Sequence, residues 1–337
     1  MAEVAGKTGI IIKRKYVYWI IQLMFVIALT GFLYSYLTNK DVFNGLQNFA
    51  NTPSGEPSFV RLIYGKFGGG EFDKPMAVTV ANEQIYIADT NNKRVQIFDY
   101  DGNPIKTFGE AGSEPGQFQF PYGLAGDSKG NVYVADLYNG SVSRFDKDGN
   151  FKGLFAEKSA SEGVFQMPAG IAIKNDRVYV TDVKLHTVKV FDLNGKLVSE
   201  FGKKGTKPGE LNAPNAAAVD DAGNVYVTDT GNQRLQVFDK DGKYKKTVNG
   251  SKDGKGQSVF VNPRGIGVDS KGNLYAVSNL THRIYGFDKD GKQVFSIGGY
   301  GEGEKQFSLP NGMFIDDRGR IYVTDTTNQR VAVFQTQ

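Results

Sequence analysis

From Ile85 to the C-terminus one pattern of apolar and polar positions recurs. IYIADTNNKRVQIFDYDG, starting at Ile85, returns as VYVADLYNGSVSRFDKDG from Val132 and VYVTDVKLHTVKVFDLNG from Val178. It returns again as VYVTDTGNQRLQVFDKDG from Val225, LYAVSNLTHRIYGFDKDG from Leu274 and IYVTDTTNQRVAVF from Ile321. The tyrosines of the six copies, Tyr86, Tyr133, Tyr179, Tyr226, Tyr275 and Tyr322, are spaced 46 to 49 residues apart. Within the first unit, apolar and β-branched residues alternate over Met76–Val80, Gln84–Ala88, Arg94–Phe98 and Pro104–Phe108. Asn-Glu, Asp-Thr-Asn-Asn and Asp-Gly turns separate these runs, which predicts an antiparallel four-stranded meander. Four strands in about 47 residues is the size of a propeller blade. The expected fold is therefore all-β, a six-bladed β-propeller over residues 59–337.

Two details support ring closure. Each first strand offers a small residue for the crowded axis: Ala77, Gly123, Gly170, Ala216, Gly265 and Gly312. The sixth copy stops at Phe334 without a fourth strand, while FVRLIYG (Phe59–Gly65) ahead of the first copy has the fourth-strand pattern. An N-terminal strand completing the last blade would remove two open edges.

The copies share P-x-G/A, then [IVL]-Y-V-x-D, then N-x-R-[VIL]-x-[VI]-F-D, and in this they resemble the NHL-repeat family of six-bladed propellers. The resemblance covers all of residues 59–337. It implies a sensor or interaction domain, since extracytoplasmic members serve in that way. Related propellers also include histidine-zinc amidating lyases and lactonases with calcium in the axial mouth, which sets a propeller enzyme as the alternative.

Ahead of the repeats the pattern changes completely. Tyr16–Leu37 is 22 residues without a charge, roughly 33 Å as a helix and long enough to cross a bilayer. Tyr16, Tyr18 and Trp19 lie at one end and Tyr34 and Tyr36 at the other, as aromatic belts do. The run is longer than a signal-peptide core and no small-residue cleavage motif follows, so a signal anchor is expected. Lys7, Lys13, Arg14 and Lys15 place residues 1–15 in the cytoplasm and the propeller outside. Residues 38–58, rich in Asn, Gly, Ser and Pro, read as a tether.

Composition narrows the chemistry. The chain lacks Cys and has two His, His186 and His282, which excludes thiolate chemistry and leaves a three-histidine zinc site unbuildable. A net charge of +4 advertises no nucleic-acid partner. Asp89, Asp136, Asp182, Asp229 and Asp325 end second strands; Arg94, Arg234, Arg283 and Arg330 open third strands. Residues needed in nearly every blade read as framework that satisfies turn amides or pairs Asp with Arg. The Asp-x-Asp-Gly segments at Asp99, Asp146, Asp239 and Asp288 lack the further oxygens of a calcium loop and read as hairpin turns. No cofactor, metal or catalytic residue is expected.

Function is sought where the copies differ. Ser141 and Thr187 replace the Arg, and Ser278 replaces the Asp, leaving Arg283 without its usual partner. The P-x-G turns carry Tyr122, Asn215, Arg264 and Asn311, and His186 and His282 precede the Arg slot. These six residues are the candidate rim for a protein or peptide partner, or an envelope polymer, at one face of the propeller.

Overall fold

The computed structural model describes residues 55–66, 71–156, 164–251 and 254–337, and Gly55–Gln337 forms a compact unit of its own. The apolar run Tyr16–Leu37, with the segments either side of it, lies outside the described residues. Among those described, no helix is long and apolar enough to cross a membrane.

Among the described residues, twenty-four strands form six four-stranded antiparallel sheets. Blade 1 contains Pro75–Ala81, Gln84–Asp89, Arg94–Asp99 and Pro104–Phe108, paired in that order. Blades 2 to 5 repeat this meander over 121–154, 168–201, 214–248 and 263–298. Blade 6 takes three strands from 310–335 and its outermost from the N-terminal side: Ser58–Tyr64 pairs with Arg330–Gln335, Phe59 opposite Phe334 and Ile63 opposite Val331. The expected closure is thus made by hydrogen bonds between the first and last strands, so no blade is left with an unpaired terminal strand.

The core lies between blades rather than at the centre. Ile97, Phe108, Phe118, Val132 and Phe145 join blades 1 and 2, and Ile63, Phe72, Val78, Phe98 and Tyr322 join blades 6 and 1. Each fully buried Phe of such a layer contributes roughly 1.5–3 kcal/mol. Second strands such as Val132–Asp136 and Val225–Asp229 are therefore buried at every position, because both faces of a blade meet a neighbour.

The turns at the other end of the blades are held by their own carboxylates. Asp99 Oδ1 accepts the N–H groups of Asp101 and Asn103 at 2.9 and 2.8 Å, and Asp146, Asp239 and Asp288 repeat the arrangement. Those oxygens point into their turns, as hairpin caps do.

The repeated tyrosine has a related task. Tyr133 donates to Asp127 Oδ2 at 3.0 Å, and Tyr226, Tyr275 and Tyr322 donate to Asp220, Asp269 and Asp316. Burial first, and then the Asp127 charge, pushes the Tyr133 phenol up to about 12; the other three are raised by the same causes. A folded-state value above the unfolded ~10 means that the contribution of Tyr133 is whole below pH ~10. It is lost as pH rises from there toward 12, at up to ~1.4 kcal/mol per pH unit. Tyr133→Phe should flatten the fall of melting temperature across that alkaline window. An unchanged slope would refute the assignment.

Candidate functional site

Each first strand opens with a proline: Pro75, Pro121, Pro168, Pro214, Pro263 and Pro310. Directly after it the pairing with the second strand slips, between Pro214 and Ala217 and between Pro263 and Ile266, for example. Such an irregularity re-aims a side chain. Thr181, Thr228 and Thr324 hold it in three blades, accepting the N–H of Gly170, Ala216 and Gly312 at 2.7–2.8 Å.

Four of the six candidate residues meet at the axis. The Tyr122 hydroxyl, from blade 2, accepts from Asn215 Nδ2 of blade 4 at 2.9 Å and from an Arg264 terminal nitrogen of blade 5 at 3.1 Å. Its single O–H proton has two acceptors within reach, the side-chain carbonyl oxygens of Asn215 and Asn311 at 3.1 and 3.3 Å. Asn311 in turn donates to the Met76 carbonyl of blade 1 at 2.9 Å. Tyr122, Asn215 and Asn311 are buried. The phenol therefore acts as a crossbar that spans this end of the axis. Beneath it lies a cavity of about 60 Å³ lined by Gly123, Gly170, Ala216, Gly265 and Gly312. Further from the crossbar the passage widens to about 240 Å³ among Val78, Leu124, Ile171, Ile266 and Met313.

The two histidines stand apart from this cluster. Both occupy left-handed backbone positions, φ 61° and 56°. His186 Nδ1 accepts the Ala213 N–H at 3.0 Å and His282 Nδ1 accepts the Leu309 N–H at 3.1 Å. Burial and the charge of Lys204 hold His186 below its ordinary value, which suits an acceptor nitrogen. Its contribution to stability is present above pH ~6.5 and is lost as pH falls below that. Both rings brace connections between blades.

The framework residues divide by blade. In blades 1, 4 and 6 the carboxylates of Asp89, Asp229 and Asp325 are fully buried and accept Nε–H of Arg94, Arg234 and Arg330, each at 2.7 Å. They also accept the Asn92, Asn232 and Asn328 amides and one loop N–H each. Gln96 and Gln236 add a further donor in two of them. In blades 2 and 3, where Ser141 and Thr187 stand in the Arg slot, Asp136 and Asp182 accept four backbone N–H groups each instead. In blade 5, Ser278 Oγ bonds the backbone of Val261, and no hydrogen bond or ion pair joins Arg283 to another side chain among the described residues.

Repetition concealed some functional positions. Thr90, Thr230 and Thr326 donate to the first proline carbonyl of the next blade at 2.7–2.9 Å, and Asn279 does so with its amide at 2.8 Å. The recurring Asp-Thr pair is the signal in the sequence. Phe120 and Tyr138 occur in one blade only and carry no such signal. They form an aromatic ladder: Tyr138, 61 % exposed, packs 4.7 Å from Phe120, which stacks 6.1 Å from Tyr122.

The crossbar offers amides, a phenol and a guanidinium. That set donates hydrogen bonds and carries positive charge, which disfavours a cation at the same point. Among the described residues no three His, Asp or Glu are grouped so as to hold a metal ion.

Comparison with known proteins agrees with the architecture. The family model described as NHL repeat matches residues 165–191, 211–238 and 307–334. The model described as SMP-30/Gluconolactonase/LRE-like region matches residues 74–155. Protein brain tumor of Drosophila melanogaster is 43% identical over 65 residues, which is 18% of this chain and only 6% of that protein. Among solved structures, a catalytically inactive virginiamycin B lyase from Staphylococcus aureus with quinupristin superposes with TM-score 0.56 and 14% identity, over 83% of this chain and 89% of that one. A gluconolactonase from Xanthomonas campestris does so with TM-score 0.57 and 16% identity, over 85% and 99%. At such identities the likeness concerns the fold alone. With six four-stranded sheets, the chain is a six-bladed β-propeller, three segments of which match the NHL-repeat model.

Proposed function

We propose that this propeller is a recognition module, held at the membrane by Tyr16–Leu37 with residues 1–15 in the cytoplasm. It binds a protein or peptide partner of the cell envelope through the face that carries Tyr122. The observation behind this reading is the crossbar: Tyr122, Asn215 and Asn311 bond one another across the axis, which favours a surface over a reaction chamber at that face. The Tyr138–Phe120 ladder leads across that surface, and aromatic rings beside an arginine are what interface centres are enriched in.

Purification of the full-length protein from native membranes in mild detergent tests the reading. A stoichiometric partner should accompany the wild type and fall about tenfold or more in Tyr138→Ser and Phe120→Ser. No partner in any sample, or equal recovery in all, would remove the reading. The anchor is tested separately, by sequencing the N-terminus of the membrane-bound protein; a start beyond Leu37 counts against it.

The match of residues 74–155 to the SMP-30/Gluconolactonase/LRE-like region favours a second reading, a propeller enzyme with a metal at the axial mouth. Arg264 at that mouth weighs against it, because a guanidinium repels a divalent cation.

A further inference from the structure

Blade 5 differs from every other blade in its charge. It carries two arginines, Arg264 and Arg283, on the crossbar face, and Ser278 stands where the other five blades have aspartate. Pro263, Ser278 and Arg283 share one row of the sheet, so the missing carboxylate belonged between the two arginine-bearing strands. In blades 1, 4 and 6 that carboxylate meets the guanidinium Nε at 2.7 Å. The third-strand arginine slot is thus built for a carboxylate. Arg283 keeps the slot without the acid. Arg264 spends one terminal N–H on Tyr122, its Nε is buried without a partner, and neither arginine makes an ion pair among the described residues.

Exposed apolar residues lie on the loops beside these arginines. Val261, Leu280, Tyr300 and Leu309 are all exposed, Tyr300 by 76 %. They sit on neighbouring loops: the Leu280 N–H bonds the Val261 carbonyl, the Leu309 N–H bonds His282 Nδ1, and His282 packs edge-on against Tyr300 at 5.2 Å. Most other exposed large apolar residues lie on the outermost strands, away from this face.

We infer that the crossbar end of blade 5 is a docking site for an acidic peptide segment of a protein partner, a carboxylate of the peptide engaging Arg283 and Arg264 while its apolar side chains cover Leu280, Val261 and Tyr300. Charge complementarity selects this occupant. Two unpaired guanidiniums beside an apolar patch call for alternating acidic and apolar residues, and the sister blades show that the partner group is a carboxylate. The site serves the recognition role proposed above and depends on it.

The test uses the full-length protein in detergent and a fluorescent peptide of alternating Glu and Leu, with its Gln–Leu counterpart as control. The Glu peptide should bind about tenfold or more tighter than the Gln peptide, the range of a hydrogen bond to a charged group. Ser278→Asp restores the internal carboxylate; it should weaken the Glu peptide about tenfold and leave the melting temperature unchanged or higher. Arg283→Gln should weaken binding similarly and carries the test if Ser278→Asp does not fold. Equal affinity for the two peptides, or wild-type affinity in Arg283→Gln, overturns the site. Displacement of the peptide by inorganic phosphate well below the chloride concentration needed would overturn the carboxylate assignment. A native partner retained by Arg283→Gln but lost by Phe120→Ser would refute this site and leave the recognition role standing. Loss of that partner in both variants would support both.

Discussion

Replacing Asp229 by Ala should lower stability by about 3–5 kcal/mol, the range for removing one partner of a buried ion pair. The Asp229 carboxylate is fully buried and accepts from the Asn212 N–H at 2.6 Å, Asn232 at 2.9 Å, Arg234 at 2.7 Å and Gln236 at 3.0 Å. Alanine would take the acceptor from the Arg234 Nε–H, the Asn212 N–H and one N–H each of Asn232 and Gln236, around a carboxylate that is itself fully buried. Arg234 also donates to the Lys207 and Glu210 carbonyls, so the damage should spread into the connection between blades 3 and 4. Urea denaturation of the single variants and of Asp229→Ala/Arg234→Ala measures the coupling. A loss below ~1 kcal/mol, the scale of an exposed ion pair, would show that the network is solvated.

Gly170→Ala should have a comparable effect for a steric reason. A Cβ there would lie 2.7 Å from both Ala216 Cα and the Asn215 carbonyl oxygen of the next blade. Both obstacles are backbone, so no side chain can rotate away. Relief requires blade 3 to retreat from blade 4, and a closed ring transmits that shift to its other interfaces. Overpacking of this kind costs roughly 1–3 kcal/mol, or more where the neighbours cannot yield. Asn215 would also be drawn from Tyr122, opening the crossbar. Thermal denaturation reads the first effect and quenching of tyrosine fluorescence by iodide the second; a variant that matches the wild type in both would mean that the axis has slack.

Much of the fold is legible in the repeats because each copy states its own local rules. Alternation marks the strands, Asp-Gly the turns, and small residues the axis. Asp89, Asp229 and Asp325 pair with the arginines five positions on, as their spacing suggests. Asp136 and Asp182 bond backbone amides instead, since Ser141 and Thr187 stand five positions on in their blades. The candidate set was only partly a set. Tyr122, Asn215, Arg264 and Asn311 converge, while His186 and His282 turn their acceptor nitrogens to neighbouring loops. Their left-handed backbone decides this, and no residue pattern announces it.

The chain's own pattern therefore determines how many blades there are, where their strands begin and end, and that the first strand completes the last sheet. Those features depend on interactions repeated within each unit of about 47 residues. What the tertiary structure decided is which unrepeated side chains share a space. Tyr122 meets Asn215 across 93 residues and Asn311 across 189, and Arg264 joins them from a fourth blade. The tight approach of the first strands around the axis brings these side chains together, and nothing local to any one of them specifies the others.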